Sequence, residues 1–126
     1  MNKIRVAVLC SGGGTNLQAI LDAQAAGTIA SGEVSLVVSD NASAYALERA
    51  KAAKVATFVA DKKQFPDRRV REELISAALE ERGIGLVVLA GFMTILSEAF
   101  TKKYDMRMIN VHPSLIPSFC GPGFYG

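Results

Sequence analysis

The sequence predicts an α/β fold of the Rossmann-like type, with helices on both faces of one parallel sheet. Five short runs rich in Val, Ile and Leu alternate along the chain with segments of helical period. This alternation is typical of strand–helix–strand units. Most of the runs have the apolar composition of strands that are buried on both faces, as the strands of a parallel sheet are.

The apolar runs define five strands: Ile4 to Cys10, Val34 to Ser39, Thr57 to Ala60, Leu86 to Leu89 and Met108 to Val111. Right-handed crossovers on a growing parallel sheet predict the strand order 3-2-1-4-5. The direction of winding then reverses between the first and fourth strands, and ligands of open sheets bind there, beyond the carboxyl ends of the strands. We therefore expect a site among the segments after the first, fourth and fifth strands.

Helices are predicted between the strands. The first runs from about Asn16 to Ala26, before Gly27, with an apolar stripe of Leu17, Ile20, Leu21 and Ala25. A later helix is expected to start at Pro66, to end at Gly83 and to bury a stripe of Val70, Leu74, Ala77 and Ala78. A shorter helix is predicted after Ser97.

Composition indicates one globular domain over residues 1–126, since half of the residues are hydrophobic. The 14 basic and 12 acidic residues are interspersed, so neither nucleic acid nor a membrane surface is an expected partner. The first apolar run is too short for a signal peptide or a membrane span, which predicts a cytoplasmic protein. Cys10 and Cys120 lack metal-ligand spacing, so we expect free thiols and no metal site.

The loop after the first strand, Ser11-Gly12-Gly13-Gly14-Thr15-Asn16, leads directly into a helix. Its glycines let the backbone approach a ligand, and the helix N-terminus with Thr15 and Asn16 offers donors to an anion. It is not a Walker loop, and Leu17 stands where the dinucleotide fingerprint has its third glycine. Phosphate binding is favoured over a plain tight turn in which Thr15 or Asn16 caps the helix.

Two further segments lie at the predicted ligand edge. The stretch from Leu89 to Leu96 is a small-residue turn followed by apolar residues, which suits either a wall for a flat heteroaromatic ligand or ordinary core packing. Period-two alternation places Asn110 and His112, the only histidine, on the same side of the last strand. His112 is either a hydrogen-bonded structural residue or a proton carrier.

A carboxamide beside an imidazole indicates acyl-type transfer to a phosphorylated substrate. The Asn110 amide could donate to an oxygen that becomes negative, and His112 could move the proton between the attacking amine and the leaving nitrogen. Ser114 and Ser118 lack a second histidine to serve as base, and Cys120 lies in a glycine-rich tail. Direct transfer is therefore favoured over a covalent intermediate.

Three segments resemble the phosphoribosylglycinamide formyltransferase family: SGGGTNLQ at 11–18, LAGFMTIL at 89–96 and NVHPSLIP at 110–117. The Asn-x-His-Pro-Ser element is shared with other folate-dependent formyl transferases and hydrolases. The glycine loop favours this family over methionyl-tRNA formyltransferase and formyltetrahydrofolate deformylase, which remain the alternatives. The resemblance implies that residues 1–126 are the N-terminal phosphate-binding domain of such an enzyme, without the C-terminal strands of the family.

The resemblance also implies transfer of a formyl group from 10-formyltetrahydrofolate to glycinamide ribonucleotide in purine synthesis. The phosphate of the substrate would be held by Gly14, Thr15 and Asn16. The folate co-substrate would contact Arg68, Met93, Thr94, Ile95, Leu96 and Asn110. Asn110 and His112 would be the catalytic residues.

The sequence departs from the family at two places. Thr94 stands where many relatives carry arginine, and no Asp or Glu follows Asp105, whereas the family supplies an aspartate that works with the histidine. Since a carboxylate would orient the imidazole of His112 and raise its pKa, these 126 residues alone are expected to be inactive or nearly so.

Two other functions stay open. Asp40 ends the second strand where a ribose-binding acid of a nicotinamide-dependent oxidoreductase would lie, although Leu17 counts against that function. The absence of the carboxylate leaves room for a phosphate-ligand binding module without catalysis. The sequence also leaves open whether the chain forms a homodimer.

Overall fold

The computed structural model describes residues 3–27, 31–94 and 96–111. The elements are β1 (Ile4–Cys10), α1 (Thr15–Ala25), β2 (Gly32–Ser39), α2 (Tyr45–Ala52), β3 (Ala56–Val59), α3 (Arg68–Glu81), β4 (Leu86–Ala90), α4 (Glu98–Lys103) and β5 (Met108–Val111). All strand pairs are parallel and their order is β3-β2-β1-β4-β5. The predicted fold class and strand order are confirmed.

The strand boundaries follow the apolar runs closely. The predicted bounds of β1 and β5 are confirmed, while β2 begins two residues earlier, at Gly32. β3 lies one residue earlier than predicted, and β4 continues for one residue, to Ala90. The loops after β1 and β4, and Asn110 of β5, therefore lie at the same edge of the sheet.

Each face of the sheet is covered by two helices. On one face, Val8 and Val37 pack with Leu17 of α1 and Ala46 of α2. The other face buries the alternate strand residues against α3 and α4, in a cluster that includes Leu9, Val38, Ile75, Leu79 and Phe100. Because β1 lies in the middle and is covered on both faces, its residues from Ala7 to Cys10 are fully buried.

The start predicted for α3 is wrong. The helix begins at Arg68, and Asp67 rather than Pro66 sets its boundary. The Asp67 carboxylate accepts a hydrogen bond from the Arg69 amide at 2.9 Å. An aspartate N-cap satisfies an amide that has no partner within the helix, so the cap fixes the start and leaves Pro66 outside the helix.

The buried face predicted for α3 is also wrong. Val70 and Ala77 of the predicted stripe are exposed, and Leu74 and Ala78 are half-buried. The helix instead buries a face of mixed chemistry: Arg71, Glu72, Ile75, Ser76 and Leu79. Each polar member makes at least one hydrogen bond, which lowers the cost of its burial, although the Nε of Arg71 has no partner among the described residues. The Arg71 guanidinium, for example, donates to the backbone carbonyl oxygens of Phe65 and Pro66.

The prediction for α1 is nearly right, since the helix begins and ends one residue earlier than expected. Leu17 and Leu21 are buried, and Ile20 packs against the same cluster. Ala25, the last member of the predicted stripe, is exposed. Within the described residues, no helix has the length and apolar character needed to cross a membrane.

Cys10, at the end of β1, is a fully buried free thiol as expected, whereas Cys120 lies outside the described residues. Burial and, to a smaller extent, the charge of Asp40 raise the pKa of this thiol from 9.0 to about 12. Between about pH 9 and pH 12 the unfolded chain therefore loses this proton while the folded chain keeps it. The contribution of Cys10 to folding stability is complete below pH 9 and is lost as the pH rises.

We expect the free energy of unfolding to fall more steeply with rising pH above pH 9 in the wild type than in the Cys10→Ala variant. Urea unfolding between pH 8 and pH 10.5 measures both slopes, and comparing slopes removes the cost of the cavity left by the substitution. Equal slopes would show that the Cys10 thiol titrates alike in the folded and unfolded chains.

Candidate functional site

The strand register brings the candidate segments to one edge of the sheet. Leu9 of β1 lies beside Leu89 of β4, which lies beside Asn110 of β5. The loops after β1 and β4 therefore leave neighbouring strands at the same height. Asn110 lies one strand further along the same row, at the carboxyl edge where open sheets bind ligands.

The glycine loop packs tightly against α2. Gly14 has a φ of +81°, and a Cβ atom placed on it would lie 2.7 Å from the Cβ and 2.8 Å from the Cα of Ala46. The Ala46 amide donates to the carbonyl oxygen of Gly12 at 3.1 Å. The Arg49 guanidinium of α2 donates to the carbonyl oxygen of Gly13 at 2.7 Å. Position 14 therefore requires glycine for both its conformation and its space.

The start of α1 is not capped by a side chain. Its N-cap residue is Gly14 rather than Thr15 or Asn16, so the capped-turn alternative for this loop is wrong in that respect. Thr15 is exposed and Asn16 is half-buried, and both belong to the first turn of the helix. Amides of a first helical turn and the positive end of the helix dipole are suited to an anion.

Ser11 joins this loop to the segment after β4. The buried Ser11 hydroxyl accepts a hydrogen bond from the Met93 amide at 2.7 Å. The Ser11 amide donates to the carbonyl oxygen of Gly91 at 3.2 Å. The predicted phosphate loop and the predicted apolar wall are thus held together at one residue, which sequence reasoning did not single out.

The apolar segment is partly core and partly surface. Phe92 and Leu96 are half-buried and pack against the cluster that contains α3 and α4, as the core-packing alternative requires. Met93 is 70% exposed, as a wall for a ligand requires. Ile95 lies outside the described residues. Each alternative therefore applies to different side chains of one segment.

Thr94 contacts a buried acid. Its hydroxyl donates to Oδ2 of Asp40 at 2.5 Å, and Asp40 is fully buried after the end of β2. Asp40 therefore does not face a ligand, which disfavours its predicted alternative role as the ribose-binding acid of an oxidoreductase. The sequence predicted the position of Asp40 at the carboxyl edge, but it did not predict the hydrogen bond to Thr94, which lies 54 residues away.

Arg68 begins α3 and lies on the side of the site where α3 meets α4. Its guanidinium is 3.9 Å from the carboxylate of Glu72. The same carboxylate accepts hydrogen bonds from the Ser97 amide at 2.7 Å and the Ser97 hydroxyl at 2.6 Å. Ser97 follows the apolar segment directly, so Glu72 connects that segment to Arg68.

Of the two residues predicted to be catalytic, the structure describes Asn110 but not His112. Asn110 is half-buried in β5, on the face that the register assigns to α3 and α4. His112 lies outside the described residues. The structure therefore places Asn110 at the carboxyl edge of the sheet with the glycine loop and the apolar segment, and the role of His112 stays a prediction.

Comparison with known proteins gives one family. A sequence profile described as "Formyl transferase" matches residues 4–125. Among curated proteins, the phosphoribosylglycinamide formyltransferase of Haemophilus influenzae is 40% identical over 121 residues, which are 96% of this chain. The trifunctional purine biosynthetic protein adenosine-3 of Gallus gallus is 44% identical over 120 residues, which are 95% of this chain.

Solved structures agree with the curated relatives. The phosphoribosylglycinamide formyltransferase of Brucella melitensis superposes with a TM-score of 0.85 at 39% identity, over 95% of this chain and 62% of its own. That of Coxiella burnetii has a TM-score of 0.84 at 41% identity, over 95% of this chain and 56% of its own. The chain spans 57% of the Haemophilus influenzae protein and 12% of the Gallus gallus protein.

Replacing Gly14 by alanine is expected to destabilise the folded chain by roughly 2 kcal/mol or more. A left-handed conformation costs a residue with a Cβ roughly 1–2 kcal/mol, and the contact with Ala46 adds overpacking. Urea unfolding at neutral pH measures the change.

Gly13→Ala is the matched control, because a Cβ at position 13 meets nothing within 4 Å and Gly13 has no positive φ. We expect its free energy of unfolding to stay within about 0.5 kcal/mol of the wild type. Equal losses for the two variants would contradict the close packing of Gly14 on α2.

Proposed function

Because the chain belongs to the formyl transferase family, we propose that it carries the ligand-binding loops of a phosphoribosylglycinamide formyltransferase. The reaction would move a formyl group from 10-formyltetrahydrofolate to the amine of glycinamide ribonucleotide in purine synthesis. In this proposal residues 1–126 form the N-terminal phosphate-binding domain of the enzyme. The observation that carries it is the junction at Ser11, which joins an uncapped helix N-terminus to a partly exposed apolar segment.

The first loop would bind the phosphate of the nucleotide substrate. No side chain caps α1, so the first-turn amides and the side chains of Thr15 and Asn16 can serve an anion. Gly14 lets the loop turn into the helix while it packs on α2. The Arg49 guanidinium, bound to the carbonyl oxygen of Gly13, adds positive charge beside the loop. These features support a phosphate as the ligand.

The second loop would bind the folate. The residues present fit a flat, largely apolar group, since Met93 is exposed at the carboxyl edge while its neighbour Phe92 is anchored in the core. Met93, Thr94, Ile95 and Leu96 would line the pterin slot. Arg68, at the start of α3, would contact the same co-substrate and is positioned beside Glu72.

The transfer itself would use Asn110 and His112. As the substrate amine attacks the formyl carbon, the Asn110 amide would donate to the carbonyl oxygen, which gains negative charge. The His112 imidazole would take the proton of the amine and deliver it to the departing folate nitrogen. The new bond joins the amine to the formyl carbon, and the bond between that carbon and the folate nitrogen breaks.

The catalytic roles are tested in an extended chain, defined as residues 1–126 followed by the C-terminal part of the Haemophilus influenzae relative. Asn110→Ala and His112→Ala should each lower the turnover number for formyl transfer by about 10²-fold or more, as expected for loss of an oxyanion donor or a general acid–base. Affinity for glycinamide ribonucleotide, measured by calorimetry, should stay within about threefold. Steady-state kinetics with 10-formyltetrahydrofolate gives the turnover.

Ile109→Ala is the control for these variants, because Ile109 adjoins Asn110 in β5 and is exposed. Its turnover should match that of the unmodified extended chain. Unchanged turnover in Asn110→Ala and His112→Ala would show that the catalytic residues lie elsewhere. Tight binding of NADH without binding of folate analogues would replace the proposal with an oxidoreductase.

Residues 1–126 alone are expected to show little or no formyl transfer beside the extended chain. No carboxylate follows Asp105 in this sequence to orient and charge the imidazole of His112. Parallel assays of both proteins at equal concentration measure the difference. Equal turnover would show that His112 works without an added carboxylate.

A further inference from the structure

Asp40 is a buried acid that the proposed reaction does not use. Asp40 is 0% exposed, and its Oδ2 accepts a hydrogen bond from the Thr94 hydroxyl at 2.5 Å. Within the described part of the chain, Oδ1 has no hydrogen-bond partner and no cation is paired with the carboxylate. Burying a carboxylate with so few partners is unfavourable, so its presence calls for a role other than stability.

The bond from Thr94 to Asp40 spans a strand. Asp40 follows β2, whereas Thr94 follows β4, and β1 lies between these two strands. The hydrogen bond from Thr94 therefore crosses the carboxyl end of β1, where Cys10 and Ser11 lie. Thr94 is thus held at the same end of β1 that begins the glycine loop.

The segment 91–94 has little regular structure of its own to fix it. Two of its ties are at Ser11, through the Gly91 carbonyl oxygen and the Met93 amide. The third hydrogen bond, from Thr94 to Asp40, is the one of these three that uses a side chain of the segment. A hydrogen bond to a charged acceptor is stronger than one between neutral groups, so this tie fixes the position of Thr94 most firmly.

We propose that Asp40 is a positioning residue for the folate site, where its buried carboxylate holds Thr94 and thereby sets the height of the apolar segment against the pterin. This inference rests on the proposed function. Asp40 acts through Thr94 and does not contact the folate itself. A ligand group bound against backbone and apolar side chains tolerates little displacement of the wall, so loss of the tie weakens folate binding first.

The test uses Thr94→Val in the extended chain, because valine keeps the shape of threonine and removes the donor. We expect the KM for 10-formyltetrahydrofolate to rise about tenfold, because without this hydrogen bond only a fraction of the molecules hold the segment in the binding arrangement. The KM for glycinamide ribonucleotide and the turnover number should change by less than about twofold. Thr94→Ser, which keeps the hydroxyl, should restore the folate KM.

Thr57→Val is the matched control, since it makes the same substitution within β3 and away from both loops. Both KM values should equal those of the unmodified extended chain. Asp40→Ala should raise the folate KM as Thr94→Val does, and the double variant should raise it no further, because the two residues form one tie. An additive double variant would overturn the proposal.

Amide hydrogen exchange without ligand separates this inference from the proposed function. In Thr94→Val, exchange in the segment 91–94 should accelerate while exchange in β1 and β4 stays unchanged. Unchanged exchange and an unchanged folate KM would overturn the role of Asp40 while formyl transfer by the unmodified extended chain still stands. Faster exchange in an extended chain that transfers no formyl group would instead defeat the proposed function and, with it, the assignment to folate.

Discussion

The hydrogen bond from the Met93 amide to the Ser11 hydroxyl joins the two loops of the candidate site across the ends of β1 and β4. The geometry of the sheet makes this bond available, because the two strands are neighbours in register and release their loops at the same height. In open sheets the reversal of winding between two such strands is the point at which ligands bind. Any ligand that bridges the glycine loop and the apolar segment therefore depends on the placement of Ser11.

Three buried polar side chains hold the segment from Gly91 to Ser97, each at a different residue. Ser11 accepts from the Met93 amide, Asp40 accepts from the Thr94 hydroxyl and Glu72 accepts from the amide and hydroxyl of Ser97. Apolar contacts alone would let such a segment repack, whereas directional hydrogen bonds to buried side chains favour one arrangement. The edge of the core therefore contains polar side chains, and these give the segment of the candidate site a defined position.

The sequence was sufficient to predict the sheet, because apolar runs locate the strands and the right-handed crossover rule gives their order. It was insufficient for α3, where the rule that polar residues face solvent fails at Arg71 and Glu72. Glu72 accepts from the amide and hydroxyl of Ser97, and Arg71 donates through one guanidinium nitrogen to the carbonyl oxygen of Phe65, while its buried Nε has no partner among the described residues. The glycine loop was recognisable from composition, but the tie at Ser11 joins residues 82 positions apart, and no pattern along the chain reports such a pair.

Thr94 illustrates how the structure changes the meaning of a departure from a family pattern. In sequence, the family resemblance implies an arginine at position 94, so Thr94 indicates the loss of a long cationic side chain from the candidate site. In the structure, the threonine hydroxyl points to a buried carboxylate, so the position supplies a hydrogen-bond donor to the sheet edge. A threonine hydroxyl has one hydrogen to donate. This agrees with Asp40, of which Oδ2 accepts a hydrogen bond and Oδ1 has no partner among the described residues. Position 94 is therefore constrained by the buried carboxylate of Asp40 beneath the segment.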